Sequence, residues 1–106
     1  MDKLARASKL DRSKIIDLVD VPNIGTSIAG DLKILGIRRP QDLIGKDAYH
    51  MYDELNRITR KRHDPCLLDT FIAAVRFMSG EKAKPWWAYT AERKRMMKNR
   101  VGGNAA

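Results

Sequence analysis

The segment 21–25, Val-Pro-Asn-Ile-Gly, has the residue types of a tight turn that exposes backbone N–H groups. Pro22 fixes φ and ends a preceding helix, whereas Asn23 and Gly25 tolerate left-handed backbone angles. Thr26 or Ser27 would then be the N-cap or a first-turn hydroxyl residue of a new helix. Free N–H groups at the positive end of a helix dipole attract anions. The segment therefore predicts a phosphate-binding turn made by Asn23, Ile24, Gly25, Thr26 and Ser27.

Apolar residues on either side of this turn are spaced so that two helices could pack together: Leu18 and Val21 before it, and Ile28, Ala29 and Leu32 after it. The whole segment resembles the helix-hairpin-helix motif, which contacts DNA phosphates without reading bases. Two positions depart from the motif, because Asn23 replaces its first glycine and Ser27 stands where many DNA-binding members carry Lys or Arg. The alternative is a hairpin that serves only helix packing or protein contacts.

The formal net charge of +8 lies mostly in the second half of the chain. Residues 1–53 carry nine Lys and Arg against eight Asp and Glu, whereas residues 54–106 carry twelve against five. The segments 60–63 and 93–100 are basic and contain no acidic residue. Such clusters attract a phosphate backbone, although many charge runs are only solvated surface. Candidate phosphate contacts here are Arg60, Lys61, Arg62, Arg93 and Lys94.

A second kind of chemistry is conceivable around the single cysteine. Cys66 would lie in the first turn of a helix, near Arg62 and His63, where a thiolate is favoured. A small buried cysteine is the commoner case. His63, Asp64 and Cys66 do not have the spacing of a recognised metal site, so we expect no metal and no cofactor. The chain also lacks a Ser-His-Asp arrangement, a Walker loop and a dinucleotide fingerprint, which predicts a protein that is not an enzyme.

The elements that would position these residues are all helices. Hydrophobic periodicity predicts helices over 12–20, 26–35, 48–58 and 65–78, a short helix starting at Pro40 and a C-terminal helix after Pro85. We expect Asp47 and Asp64 to cap the two helices that follow them, and Asp53 to pair with Arg57. Helix 65–78 is apolar around most of its circumference and should be the most buried. For the later aromatic residues Trp86, Trp87 and Tyr89, we favour core packing over stacking on unpaired bases.

These expectations combine into a compact domain of five to six helices. Its order of helices resembles a double helix-hairpin-helix (SAM-like) fold, in which the turn from Thr59 to Asp64 would be the second hairpin, with cations in place of glycines. We expect an N-terminal lead-in over 1–11, the domain over 12–100 including a basic C-terminal helix, and a flexible tail over 101–106.

Several local sequences resemble one family in particular. The segments Arg39-Pro40-Gln41-Asp42-Leu43, Arg62-His63-Asp64-Pro65-Cys66 and Pro85-Trp86-Trp87 are similar to the small bacterial "pathogenicity locus" family, some of whose members are called mitomycin-resistance proteins. The resemblance covers roughly residues 12–95. A more distant resemblance is to the C-terminal domain of TfoX-type competence regulators. The family resemblance implies a helix-hairpin-helix-like fold and a tie to DNA.

The sequence thus predicts a DNA-binding protein without strong sequence preference, acting in repair or competence. No apolar run is long enough to span a membrane, and the N-terminus lacks the apolar core of a signal peptide, so a cytoplasmic location is expected. A homodimer through the C-terminal aromatic and Met residues is a further expectation. The main alternative is a protein-interaction or regulatory adaptor with a purely structural hairpin, followed by a thiol-dependent or metal-binding protein.

Overall fold

The computed structural model describes residues 12–105, and within that range every regular element is helical. The α-helices are α1 (Thr26–Ile34), α2 (Ala48–Thr59), α3 (Pro65–Met78) and α4 (Thr90–Ala105). Short 3-10 turns span Arg12–Lys14, Leu18–Asp20, Pro40–Leu43 and Trp86–Tyr89. The expected all-α class is confirmed, and the expected short helix at Pro40 is a 3-10 turn. The expected lead-in over 1–11 lies outside the described residues.

The fold is built around α3. Ten of its 14 residues are buried, and it packs against α2, α4 and the 3-10 turns Pro40–Leu43 and Trp86–Tyr89. The helix begins with Pro65 at a position where a missing N–H is harmless, and its apolar residues point in all directions. Phe71 and Phe77 are the largest fully buried side chains. The sequence correctly identified α3 as the most buried element, because only a central helix tolerates so continuous an apolar surface.

The predicted helix over 12–20 is wrong. The chain forms two 3-10 turns there, separated by irregular backbone. Long-range contacts hold this segment instead of helical hydrogen bonds: Arg12 Nε donates to the carbonyl of Phe77 at 2.6 Å, and Gln41 Nε2 donates to the carbonyl of Ile15 at 2.9 Å. Ile16 is exposed although the helical pattern placed it on an apolar face. The hairpin at 21–25 is therefore preceded by one 3-10 turn, Leu18–Asp20, and not by a full helix.

Two of the expected helix boundaries are confirmed. The Asp47 carboxylate caps α2 by accepting hydrogen bonds from the N–H groups of Tyr49 and His50, at 2.9 and 3.3 Å. Gly36 follows α1 with a φ of 83°, the left-handed conformation that suits glycine after a helix C-terminus. These boundaries follow from local residue chemistry, which is why the sequence alone could identify them.

Two other local predictions are wrong, and a third, for the start of α1, holds in one of its two forms. The residue that caps α1 is Gly25, so Thr26 and Ser27 are hydroxyl residues of the first turn and not the cap. Asp64 precedes α3 without a side-chain hydrogen bond to the helix N-terminus. Arg57 pairs with Glu54 and not with Asp53. In the last case, the carboxylate of Asp53 is engaged by Arg100 from α4, a contact between residues far apart in the sequence.

The C-terminal helix α4 follows directly on the 3-10 turn Trp86–Tyr89, and its bounds continue into the segment 101–105 that was expected to be a tail. Tyr89 is buried, Trp86 is half-buried and Trp87 is exposed, so only part of the aromatic cluster joins the core. Among the described residues, no helix has both the length and the apolar character needed to cross a membrane.

Candidate functional site

The hairpin turn is fixed to the segment that leads into the C-terminal region. Asn23 has a φ of 73°, in the left-handed region that Asn tolerates. Its side-chain Nδ2 donates to the carbonyl of Lys84 at 2.8 Å, and its Oδ1 accepts from the N–H of Trp86 at 3.2 Å. Both polar ends of the amide are therefore used inside the protein. Asn23 serves the turn as a clamp, and its side chain is not free for a phosphate.

Of the five residues expected to bind phosphate at the hairpin, three present open backbone. Ile24 is buried at 1% exposure, and its N–H donates to the carbonyl of Val21 at 3.1 Å. Gly25, Thr26 and Ser27 are exposed, and their N–H groups have no acceptor within residues 12–105. These groups lie at the positive end of the α1 dipole. The anion-attracting part of the hairpin is thus the first turn of α1.

The basic turn, residues 60–63, is held by the helix that precedes it. Arg60 ends α2 in the left-handed region with a φ of 55°, and the N–H of Lys61 donates to the carbonyl of Asn56 at 3.2 Å. The Asn56 side-chain Oδ1 accepts from the N–H of His63 at 3.0 Å and lies 2.7 Å from its ring Nδ1. The hydroxyl of Tyr52 donates to the carbonyl of His63. The backbone of the basic turn is therefore fixed by side chains of α2.

This fixed backbone presents three cations to solvent. Arg60, Lys61 and Arg62 are all exposed. In the part of the chain that the structure describes, none of the three has an acidic partner. A cation that is not neutralised within the protein keeps its full charge for a phosphate. The three cations are thus accessible, and their contact with phosphate stays a prediction.

Arg93 has a structural role instead. The Asp69 carboxylate is fully buried within α3, and Arg93 Nε pairs with its Oδ1 at 2.8 Å. The hydroxyl of Thr90 donates to Asp69 Oδ2 at 2.7 Å. The hydrogen bond to this carboxylate raises the pKa of Arg93, and the side chain is only 15% exposed. We therefore exclude Arg93 from the candidate surface and regard it as the residue that anchors α4 to α3.

The outward face of α4 carries three further exposed cations: Lys94, Arg95 and Lys98. Arg93, Met97 and Arg100, at positions i, i+4 and i+7, face the rest of the protein, so the positions between them turn toward solvent. None of the three exposed cations has an acidic partner in the described part of the chain. Only Lys94 was among the candidates from the sequence. Arg95 and Lys98 lie in the same acid-free run, and the position of Asp69 in the apolar helix 65–78 was the clue to which cation turns inward.

The two turns are attached to α3 through different segments of the chain. The basic turn immediately precedes Pro65, whereas the hairpin is bonded to the segment at Lys84 and Trp86 that follows the helix. The pair between Arg93 and Asp69 brings the start of α4 to the half of α3 nearer the basic turn. Only the start of α4 is attached there, because farther along the helix Arg100 pairs with Asp53 in the first half of α2, the half farther from the basic turn.

The structure bears differently on the thiol and metal alternatives. Cys66 lies in the first turn of α3 and is exposed, so it is not the small buried hydrophobe that an unpaired cysteine often is. No group of three or more potential metal ligands exists among residues 12–105.

Trp87 and Met96, in the region considered for a homodimer contact, are both exposed.

The chain matches the family described as "Pathogenicity locus" over residues 11–95. It belongs to the pathogenicity locus family. A relative from Streptomyces lavendulae, named "Mitomycin resistance protein McrB", is 39% identical over 93 residues, which cover 84% of this chain and 89% of the relative. No solved structure matches the chain significantly. The family resemblance expected from the sequence is confirmed.

The region shared with the pathogenicity locus family includes both turns, α3 and the buried Asp69. It extends through Arg95 and ends before Lys98. Most of the exposed cations described above thus belong to the part of the chain that defines the family, and only the last one lies outside it.

Proposed function

We propose that this pathogenicity locus family protein binds DNA through the phosphate backbone, without strong sequence preference. The observation that carries the proposal is the set of six exposed cations on the basic turn and on α4 without acidic partners in the described chain: Arg60, Lys61, Arg62, Lys94, Arg95 and Lys98. Lys and Arg contacts to phosphates fix the position of a protein on DNA but carry no sequence information.

The hairpin supplies a second, uncharged type of contact in this proposal. The free N–H groups of Gly25, Thr26 and Ser27 can donate to one phosphate at the start of α1. Because these groups are neutral, they add hydrogen bonds without adding a cation, and the cations of the basic turn and α4 dominate the salt dependence. A role in DNA repair or competence fits this binding mode. The Streptomyces lavendulae relative is named for mitomycin resistance, so this phenotype should be examined first.

The decisive experiment titrates the protein into labelled duplex, junction and single-stranded DNA at several salt concentrations. Fluorescence anisotropy of the label measures binding. The logarithm of the duplex association constant should fall linearly with the logarithm of salt concentration, with a slope of about −0.9 per phosphate contacted. If all six cations contact phosphates, the slope is about −5. Absence of binding even at low salt would contradict the proposal.

A matched pair of variants tests where the binding surface lies. Arg60→Gln, Lys61→Gln and Arg62→Gln combined remove three charges from the basic turn. Lys14→Gln, Lys33→Gln and Lys46→Gln remove three charges from exposed residues elsewhere. The first variant should make the salt slope shallower by up to about 2.7, whereas the second should leave it nearly unchanged. Equal effects of the two variants would show that only net charge matters.

A second candidate function is a protein-interaction adaptor in which the hairpin is purely structural. Two observations favour it: the Asn23 side chain is used entirely for internal bonds, and Ile16, Ile34 and Ile44 are exposed apolar residues. Failure to bind any DNA form in the titration would move this candidate to first place. A thiol-dependent activity ranks third, and retained function in a Cys66→Ser variant would eliminate it.

A further inference from the structure

Trp87 is the most exposed aromatic side chain in the described part of the chain, at 63% exposure. Its neighbours behave differently, since Tyr89 is buried and Trp86 is half-buried. The rings of Trp86 and Trp87 meet edge to face, with centroids 5.7 Å apart and planes at 86°. In such a T-shaped pair only one face of one ring is covered, so Trp87 keeps at least one open face.

The backbone that carries Trp87 is held in place. The N–H of Trp86 is bonded to Asn23 Oδ1 at 3.2 Å, and the N–H of Ala88 donates to the carbonyl of Pro85 at 3.0 Å. An aromatic side chain on a fixed backbone loses little conformational entropy when it binds a flat partner. The exposed indole is therefore prepared for stacking before any ligand arrives.

The segment that leads to Trp87 favours an anionic partner. Lys82 and Lys84 are exposed and precede it in the chain. The only acidic residue of this connection, Glu81, has its carboxylate 3.8 Å from Arg76, whose guanidinium also binds Glu92. The clamp made by Asn23 also joins this segment to the hairpin, whose free N–H groups follow two residues later. A base with flanking phosphates combines the flat and the anionic features that this region can bind.

We infer that Trp87 stacks on an unpaired base of DNA, while Lys82, Lys84 and the hairpin N–H groups contact the adjoining phosphates. This inference rests on the proposed function and refines it by naming the preferred ligand, which is DNA with a single-stranded segment. Stacking requires an unpaired base, because the faces of paired bases inside a duplex are covered by their neighbours.

The first test uses intrinsic fluorescence. The chain has two Trp residues, so a Trp86→Phe variant leaves Trp87 as the only indole. Titration with single-stranded oligothymidylate should quench its emission, whereas a blunt duplex of equal length should leave the emission largely unchanged. The salt concentration is kept low so that both ligands bind. Equal quenching by the two ligands, or none by the single strand despite binding, would overturn the inference.

The second test measures affinity in the otherwise native chain. Trp87→Ala should weaken binding of single-stranded DNA by about fivefold to a hundredfold, and Trp87→Phe should retain most of it. Blunt-duplex affinity should stay unchanged in both variants. Ile34→Ala, which removes another exposed apolar side chain away from the hairpin turn, is the control and should alter neither affinity. Circular dichroism and urea unfolding establish that each variant is folded.

The outcomes separate this inference from the proposed function. If the native protein binds duplex with a linear salt dependence but Trp87→Ala binds single strands as well as the native chain does, the inference is wrong and the proposed function stands. If the native protein binds neither DNA form at low salt, both are wrong. Selective loss of single-strand binding in Trp87→Ala, together with quenching, supports both.

Discussion

The two turns of this protein reach the same backbone conformation by different means. Each contains one non-glycine residue with positive φ, namely Asn23 at 73° and Arg60 at 55°. The Asn23 side chain bonds to Lys84 and Trp86, which lie 61 and 63 positions later in the chain. The turn that contains Arg60 is stabilised by Tyr52 and Asn56, at most 11 positions from the groups they bind. The hairpin therefore depends on the completed fold, whereas the basic turn depends mainly on α2.

This difference extends to what the turns can offer a ligand. In the hairpin, the Asn23 side chain bonds to other parts of the protein, and neutral N–H groups are left in solvent. The basic turn uses its backbone internally and leaves charged side chains in solvent. A residue that holds a turn in place is thus not the residue that is free to bind, and this distinction can be tested by substitution.

The largest expected effect concerns the anchor of α4, which lies toward the basic-turn end of α3. Arg93→Ala removes the partner of the buried Asp69 carboxylate and leaves it with the hydroxyl of Thr90 alone. Removal of one member of a buried ion pair costs about 3–5 kcal/mol. Urea unfolding should show a loss of this size in the free energy of unfolding.

Lys94→Ala is the matched control for Arg93→Ala, since it removes the adjacent cation, which is exposed. Its effect on unfolding should stay within about 0.5 kcal/mol, but it should make the DNA salt slope shallower by about 0.9. A large loss of stability in Lys94→Ala, or a small one in Arg93→Ala, would contradict the assignment of Arg93 as the anchor.

The next effect compares the two asparagines that hold the turns. Asn23→Ala removes two hydrogen bonds and places alanine at a positive φ, which together should cost about 2–3 kcal/mol. Asn56→Ala removes the bonds to His63, but alanine favours the interior of α2, so the net cost should be about 1 kcal/mol. Urea unfolding measures both values.

Hydrogen exchange of the same two variants shows how far each effect spreads. Asn23→Ala should increase exchange at the hairpin and also at Trp86, whose N–H loses its acceptor. Asn56→Ala should increase exchange only within residues 60–64. Faster exchange near Trp86 in Asn56→Ala would mean that the basic turn is not locally determined.

The same distinction between local and distant contacts explains what the sequence could reveal. It predicted α3 and the Asp47 cap, because continuous apolar sequence and a carboxylate before a helix act on nearby residues. It failed for the segment 12–20, where contacts from Arg12 and Gln41 to distant carbonyls override the local pattern. For the candidate site, the cations of the basic turn were predictable. The internal use of Asn23 and Arg93 was not, because their partners lie 24 or more positions away.

The smallest expected effect comes from placing glycine at each turn. Arg60→Gly removes the strain of a non-glycine residue in the left-handed region, which costs about 1–2 kcal/mol. The greater freedom of glycine in the unfolded chain offsets about 0.5–1 kcal/mol of that gain. Because the Arg60 side chain has no ion-pair partner within residues 12–105, the variant should be equally stable or up to about 1 kcal/mol more stable than the native protein. Thermal unfolding measures the change.

Asn23→Gly makes the same replacement at the hairpin, where the result should have the opposite sign. Asn tolerates the left-handed region, so glycine removes less strain here than at Arg60. Because two hydrogen bonds, to Lys84 and Trp86, are lost, the free energy of unfolding should fall by about 1 kcal/mol. The DNA salt slope should become shallower by about 0.9 in Arg60→Gly and stay the same in Asn23→Gly, because only the former removes a charge. Stability changes of equal sign in the two variants would mean that the turns are held in the same way, and a common salt slope would remove Arg60 from the binding surface.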